Sequence, residues 1–375
     1  MEEYIINIKW RGDKMTDRER FINCALCKDI DRSPLIFYFG PWGETIQRWK
    51  EEGVDNPNAW LDNFDLDKPP ILISGYVNML HNPPFTFEIL ERKGNTIIYK
   101  DFFGQIAQSI EGQSNIPKIL KSPVNSFSEW ERFKEERLNP EDESRFPPNW
   151  PEIVEMLNNQ DRPIQIGAYP CGIFGTMRDL LGVEGSLYGF YDEPELVKDI
   201  MDYLTDFWIC LFEKICKDVK VDILHIWEDI SGKQGSLISP SHIREFMFPN
   251  YKKLKDFCVK HDIPVFQVDT DGNCEELIPL FAEVGVNMML PFEVAAGSDV
   301  VKLREKYPYM SIMGGIDKRE IAKGKEHIDR ELERIYPLLN KTGYFPALDH
   351  LIHPEISYED YSYFVNRLIK MVKGV

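Results

Sequence analysis

Cysteine is scarce in this chain: seven in 375 residues, too few and odd in number to frame a disulfide-stapled fold. Free thiols in a reducing compartment are the expectation. No apolar run reaches the roughly 18 residues that a membrane span needs, and Met1, Glu2, Glu3 and Tyr4 lack the basic flank and apolar core of a secretory leader. A cytoplasmic protein is expected. Basic charge is short as well, with 44 Lys and Arg against 62 Asp and Glu, and the resulting net charge of −18 repels phosphate backbones and anionic lipid faces. Nucleic acid and membrane surfaces are therefore not expected partners. Neither Gly172-Ile-Phe-Gly175 nor Met313-Gly314-Gly315 forms a dinucleotide-binding loop, and no HExxH, GxSxG or GxxxxGK[ST] stretch occurs. What remains is ordinary globular composition, 43% hydrophobic and 28% charged, which excludes disordered and collagen-like chains.

The order of patterns is informative. Thr16 and Glu19 have capping-box spacing, and Phe21, Ala25 and Leu26 follow at helical intervals. Pro34 to Phe39 reads as a first strand, closed by the turn Gly40-Pro-Trp-Gly43, with a helix from Glu44 to Glu52. Residues 65–150 have no clear period: they contain Pro69-Pro70, Pro83-Pro84, a hairpin signal at Lys93-Gly94-Asn95 and a charged, proline-rich stretch from Asn139 to Trp150. Beyond them, strand-length apolar runs alternate with helical stretches. The runs are Pro163–Ala168, Val221–Trp227, Pro264–Val268, Val286–Leu290, Met310–Gly314 and Tyr344–Leu348. Between the first two, Leu196, Ile200, Leu204, Trp208, Leu211 and Ile215 form one apolar stripe of a helix from Pro194 to Lys217. One further strand in residues 65–150 would complete a (β/α)8 TIM barrel. The expected organisation is a single barrel domain over residues 1–375, with an N-terminal helical extension to about residue 33 and insertions at about 65–150.

In such a barrel, reactive groups stand after the strands, at the carboxyl mouth. The residues there are Glu228 and Asp229; Gln267, Asp269 and Asp271; Glu293; Asp317; and Asp349 with His350. Any one of these acids also fits a helix cap or a turn. Their recurrence after successive strands exceeds what capping requires, and predicts that Glu228, Asp269, Glu293, Asp317 and Asp349 open onto one cavity. Carboxylates converging there take up protons, bind a metal or face cationic or polar substrate groups. His350 suits an acid, base or ligand near neutral pH; with His353 it has zinc-ligand spacing, which a packing or capping histidine in a loop also satisfies. Cys24 and Cys27 lie on the apolar-periodic first helix and read as buried thiols. Cys258 and His261 form a second such pair at the end of a lysine-rich helix.

Several stretches together carry a family likeness: Thr16-Asp-Arg-Glu-Arg-Phe21 with Asp31-Arg-Ser-Pro34, Trp227-Glu-Asp-Ile230 with Gly235-Ser-Leu-Ile-Ser-Pro240, and Pro249-Asn-Tyr251. Asp271-Gly272-Asn273, Pro291-Phe-Glu293, Gly314-Gly-Ile-Asp-Lys-Arg319 and Asp349-His350 with Pro354-Glu-Ile-Ser357 continue it to the end. The chain resembles the uroporphyrinogen decarboxylase superfamily, and its methyltransferase-like branch more than the true decarboxylases. The resemblance implies a (β/α)8 barrel with its cleft at the carboxyl mouth.

Two departures refine the expectation. Where true decarboxylases carry Arg-Gln-Ala-Gly-Arg, this chain has Tyr38-Phe-Gly-Pro-Trp42; where corrinoid-linked relatives hold zinc through His-x-Cys and a late Cys, it has Gln267-Val-Asp269 and Leu348 or Asp349. Loss of a thiol-activating zinc argues against a thiol acceptor. No Asp-x-His-x-x-Gly corrinoid signature is present, so cobalamin must sit on a separate corrinoid protein.

The resemblance thus implies a corrinoid-dependent methyltransferase component, in the manner of an anaerobic O-demethylase, that takes methyl from a small compound such as a methoxylated aromatic. Its expected catalytic residues are His350, Glu228, Asp269 and Glu293, with Tyr38, Trp42, Gln267, Asp271, Asp317 and Asp349 binding substrate. A bound metal, zinc being the candidate, would draw on His350, Glu228, Asp269 and Glu293. Alternatives are a decarboxylase of uroporphyrinogen or another small acid, and a non-catalytic ligand-binding barrel; a homodimer is one expected assembly.

Overall fold

Thr16 caps the first helix, Asp17–Ala25, by accepting the Glu19 N–H, while the Glu19 carboxylate accepts the Thr16 N–H. The computed structural model describes residues 14–112 and 117–374; the amino-terminal residues read above for a leader lie outside them. This helix lies across the amino end of the barrel, with the Phe21 ring 4.9 Å from that of Phe345 and Cys24 Sγ 3.5 Å from the Tyr344 carbonyl oxygen. Buried Arg20 donates to Asp17, Asp31 and Asp67 and ties the helix to the loop before the first strand.

In chain order the strands are β1 (Ile71–Leu72), β2 (Glu88–Lys93), β3 (Thr96–Lys100), β4 (Ile106–Ile110), β5 (Lys118–Lys121), β6 (Ile164–Gly167) and β7 (Ile223–Trp227). They continue with β8 (Ser231–Gly232), β9 (Gly235–Ser236), β10 (Val265–Asp269), β11 (Met288–Leu290), β12 (Ser311–Ile316) and β13 (Tyr344–Leu348). Seven pair in parallel, in the order β1-β6-β7-β10-β11-β12-β13, and helices fill the crossovers. All six apolar runs after residue 160 are strands of this sheet, and β1 is the strand expected within residues 65–150. The helix Pro194–Cys216 buries the whole stripe from Leu196 to Ile215, each such side chain contributing roughly 1.5–3 kcal/mol. No helix among the described residues is long and apolar enough to cross a membrane.

The expected first strand, Pro34 to Phe39, makes no ladder. Its segment is bonded at its ends to residues flanking β13, Ser33 with Asn340 and both Gly40 and Trp42 with Ile352, and through Leu35 to Asp67 ahead of β1. Pro34 and Pro41 remove two backbone donors, which explains why extended chain here does not zip into the sheet. Ile36 nevertheless enters the barrel interior, against Ile223, Val265, Met288, Met313 and Phe345. The sheet is therefore seven-stranded, with an extended segment beside its last strand.

Residues 65–150 also hold an antiparallel meander, β2-β3-β4-β5, whose first hairpin turns at Gly94 as expected. Its inner corner reaches the barrel mouth: Gln105 Nε2 donates to the Asp179 carbonyl, and the Phe103 ring lies 5.8 Å from Tyr169.

Strand parity sets what fills the barrel. Ile223, His225 and Trp227 share one face of β7, and Val265, Gln267 and Asp269 share the adjoining face of β10. The interior thus changes from apolar below to polar at the mouth. Gly167 permits the close approach of β6 to β7, because at its φ of +86° a Cβ would lie 2.0 Å from the His225 carbonyl oxygen.

Candidate active site

Five side chains meet where the barrel interior turns polar. His225 Nδ1 lies 3.0 Å from the Tyr38 hydroxyl and 2.6 Å from Gln267 Nε2, and Gln165 Nε2 donates to Tyr38 Oη at 2.8 Å. With two donors aimed at Nδ1, the imidazole proton sits on Nε2. That nitrogen is 3.6 Å from Asp269 Oδ2 and has no hydrogen-bond partner; Gln165 Oε1 and Gln267 Oε1 are likewise buried without one. Burial raises the Asp269 carboxyl above its ordinary pKa, and His225 only partly offsets this. His225 and Asp269 line a cavity of about 960 Å³ whose other walls include Tyr38, Tyr76, Tyr169 and Trp227, with Arg162 at the far, amino end of β6. The Tyr169 ring meets Trp227 edge-on at 4.8 Å.

A second cluster occupies the neighbouring part of the mouth. His350 Nε2 pairs with Asp271 Oδ1 at 3.2 Å, and its ring stacks on Phe39 at 5.0 Å. Burial alone would pull the imidazolium pKa down; the Asp271 carboxylate overrides it, and the net displacement is upward. Buried Lys318 Nζ stands 3.4 Å from Glu293 and 3.6 Å from Asp349, while Asp349 also accepts the Val294 and Lys318 N–H groups. Glu293 accepts the Gly272 N–H at 2.9 Å, and with Asp271, Ser231 and Lys233 it lines a cleft of about 250 Å³.

The expectation that five carboxylates open onto one cavity is corrected. Only Asp269 lines the main cavity. Glu228 is wholly buried and accepts the Tyr251 hydroxyl at 2.6 Å and the N–H groups of Ile173, Phe174 and Gly175, the start of the helix Ile173–Asp192. Its carboxyl, pushed up to about 7 by burial, anchors a helix N-terminus rather than facing the cavity. Asp317 caps the helix Lys318–Ile321 and is held by Arg319, Asp349 is sealed beneath Lys318, and Trp42 lies against His353 at 5.2 Å.

The metal candidates do not converge. Glu228 is bound to a helix end, Asp269 faces His225, Glu293 is held by Lys318 and His350 by Asp271. Among the described residues no group of three or more His, Cys, Asp or Glu is placed to hold a metal ion, so the donor set does not fit zinc. Cys24 is buried in the barrel floor with its thiol pushed up to about 12, as suits an inert core thiol. His225, Gln165, Tyr169 and Lys318 were not among the candidates from sequence. A signal existed for His225: a histidine inside an apolar strand, two residues from Ile223 and from Trp227, must share their face.

The chain belongs to the uroporphyrinogen decarboxylase (URO-D) family, whose sequence model matches residues 107–371. Among solved structures, a methyltransferase from Methanosarcina mazei shares the fold with a TM-score of 0.58 at 15% identity, over 95% of this chain and 99% of that one. A structure from Listeria monocytogenes bearing the name of vitamin-B12 independent methionine synthase aligns over 58% of this chain and 68% of its own, at 13% identity and a TM-score of 0.31. No curated protein gives a significant match.

Proposed function

We propose that the protein is the substrate-handling component of a methyl-transfer system. It holds a small compound with a heteroatom-bound methyl group against Asp269 and His225, and a separate corrinoid protein takes the methyl. One observation carries this reading: the buried, incompletely partnered pair of Asp269 and His225 at the inner end of an aromatic-walled cavity. When the heteroatom–methyl bond breaks, both electrons stay on the heteroatom and the methyl leaves with none. The leaving group must end neutral or nearly so, which requires either a proton delivered from the pair or a positive charge carried from the start. Tyr38 and Gln267 hold the imidazole in one orientation, with Nε2 toward Asp269. A reduced corrinoid on the partner supplies the nucleophile when bound.

The decarboxylase alternative needs cations to grip a polycarboxylate. Three basic groups near the mouth are already engaged, Arg178 with Asp229, Arg319 with Asp317, and Lys318 with Glu293 and Asp349, which leaves Lys233 at the smaller cleft. The test is incubation of purified protein with cob(I)alamin and, separately, methoxylated aromatics, methylamines and uroporphyrinogen. Methylcobalamin formed with equimolar demethylated product supports the reading; carbon dioxide release from uroporphyrinogen without methyl transfer to cobalamin overturns it.

A further inference from the structure

We infer that the inner end of the main cavity is built for a protonated N-methylamine, an ammonium cation, rather than for an aryl ether. The inference rests on the methyl-transfer reading and names its substrate class.

Its first support is a carboxylate short of a cation. At the mouth, Asp229 holds Arg178, Asp317 holds Arg319, Glu293 and Asp349 share Lys318, and Asp271 pairs with His350. Asp269 faces only His225 Nε2, at 3.6 Å, although it is largely buried and lines the cavity. A buried carboxylate without a counter-ion is costly, and a ligand cation removes that cost. Asp229 and Asp271 add to the negative field at Asp269, as their upward push on its carboxyl shows.

The second support is the wall. Asp269 and Trp227 are register partners on β10 and β7, so carboxylate and indole stand side by side; Tyr169 meets that indole, and Tyr38 stacks on His225 with centroids 5.6 Å apart. Aromatic faces beside a carboxylate are the usual recognition set for ammonium groups. Arg178 already lies over the Trp227 ring at 5.7 Å, which shows the indole serving a cation in this fold.

The third support is a surplus of acceptors. Gln165 Oε1 and Gln267 Oε1 are buried beside His225 with no donor, so two open acceptors of this polar layer stand against one unpartnered N–H, that of His225 Nε2. The cavity's arginine, Arg162, is too distant to serve a small ligand there. Gly167 pairs with His225 and His225 with Gln267, placing Arg162 seven residues below the level of Asp269, about 23 Å at the usual rise.

The chemistry balances without a further reagent. In a protonated N-methylamine the carbon–nitrogen bond breaks, its electron pair neutralises the nitrogen, the methyl passes to the corrinoid nucleophile, and a neutral amine leaves with its proton. No acid need donate; Asp269 holds the cation in place.

The experiment is calorimetric titration of the full chain near neutral pH with trimethylammonium, dimethylammonium, neutral tert-butanol of similar size, and anisole. The expected result is that the ammonium ions bind about tenfold or more tightly than tert-butanol, and that Asp269→Asn removes this preference with circular dichroism unchanged. Trp227→Leu should weaken the ammonium ions several-fold more than tert-butanol. Equal or tighter binding of tert-butanol or anisole to the parent protein overturns the inference, and that comparison needs no variant to fold. A parallel cob(I)alamin assay separates the two claims. Ammonium binding without methyl transfer removes the proposed reaction and keeps the cation site; transfer from methoxylated aromatics without ammonium binding does the reverse.

Discussion

The Tyr38 hydroxyl lies 3.0 Å from His225 Nδ1, and the two rings stack within 14° of parallel. Tyr38 sits on the segment that fails to join the sheet, so an irregular stretch of chain positions the imidazole of a central strand. Removing the hydroxyl in Tyr38→Phe loses two hydrogen bonds, one with His225 Nδ1 and one from Gln165 Nε2, each worth about 0.5–1.5 kcal/mol. In any methyl-transfer activity found, kcat should fall roughly 3- to 10-fold with KM little changed, and the pH profile should move. A profile identical to the parent's would make Tyr38 a wall residue only.

Asp269 and His225 are expected to matter most for activity. His225→Gln should lower turnover by roughly 100- to 10,000-fold if the imidazole takes part in proton handling, with urea midpoints near the parent's. His350→Gln should cost more than His353→Gln, because His350 pairs with Asp271 at the mouth whereas His353 lies against Trp42 and Glu355. NMR titration adds a check, since Asp271→Asn should lower the His350 pKa. The His350 pKa is raised on folding, so its contribution to stability is complete below the unfolded value and is lost as pH rises through the folded one.

Glu228 sets a pH dependence of opposite chemical origin. Its carboxyl is raised to about 7 from an ordinary 4.5, so between those values the folded chain binds more protons than the unfolded one. Stability from this group therefore falls as pH rises through that window, by an amount on the order of 3 kcal/mol. Glu228→Gln keeps the shape and removes the titration. Its melting temperature relative to the parent's should climb from pH 5 to pH 8; a constant difference would mean that Glu228 is ionised throughout.

The buried Arg20 should be a stability hot spot. It bonds Asp31 through Nε at 2.7 Å and Nη2 at 2.8 Å, and Asp67 through Nη1 at 3.0 Å. Arg20→Met strips Asp31 of its guanidinium partner at the barrel floor and leaves Asp67 with Arg32 alone, and should cost about 3–5 kcal/mol in urea unfolding. Burial opposes ionisation of Asp31 and Asp67, but the guanidinium groups of Arg20 and Arg32 override it and hold both below the usual range. That stability is present above the unfolded carboxylate pKa and is lost as pH falls through the folded ones. The parent should thus lose more stability below pH 4 than Arg20→Met does.

Local pattern by itself determined much of this molecule. Residues such as Met288 to Leu290 are apolar on both faces because helices cover the sheet outside and side chains fill it inside, so a run of strand length announces a parallel strand. Thr16 and Glu19 cap a helix through bonds made within one turn, and the stripe from Leu196 to Ile215 follows helical period; neither needs distant chain. The placing of acids after strands was equally local. Tertiary structure decided which acid faces the cavity. Asp269 and Glu228 both follow or end a strand, yet Asp269 shares the inward parity of Gln267, while Glu228 turns outward to the start of a helix that begins 55 residues earlier. It also withheld the ladder from Pro34 to Phe39 and assembled Tyr38, Gln165, His225 and Gln267 from four separated segments. Sequence shows which faces of each element are apolar; only the curling of the sheet, which brings the inward faces against one another, chooses the neighbours that turn a lone polar residue into a site.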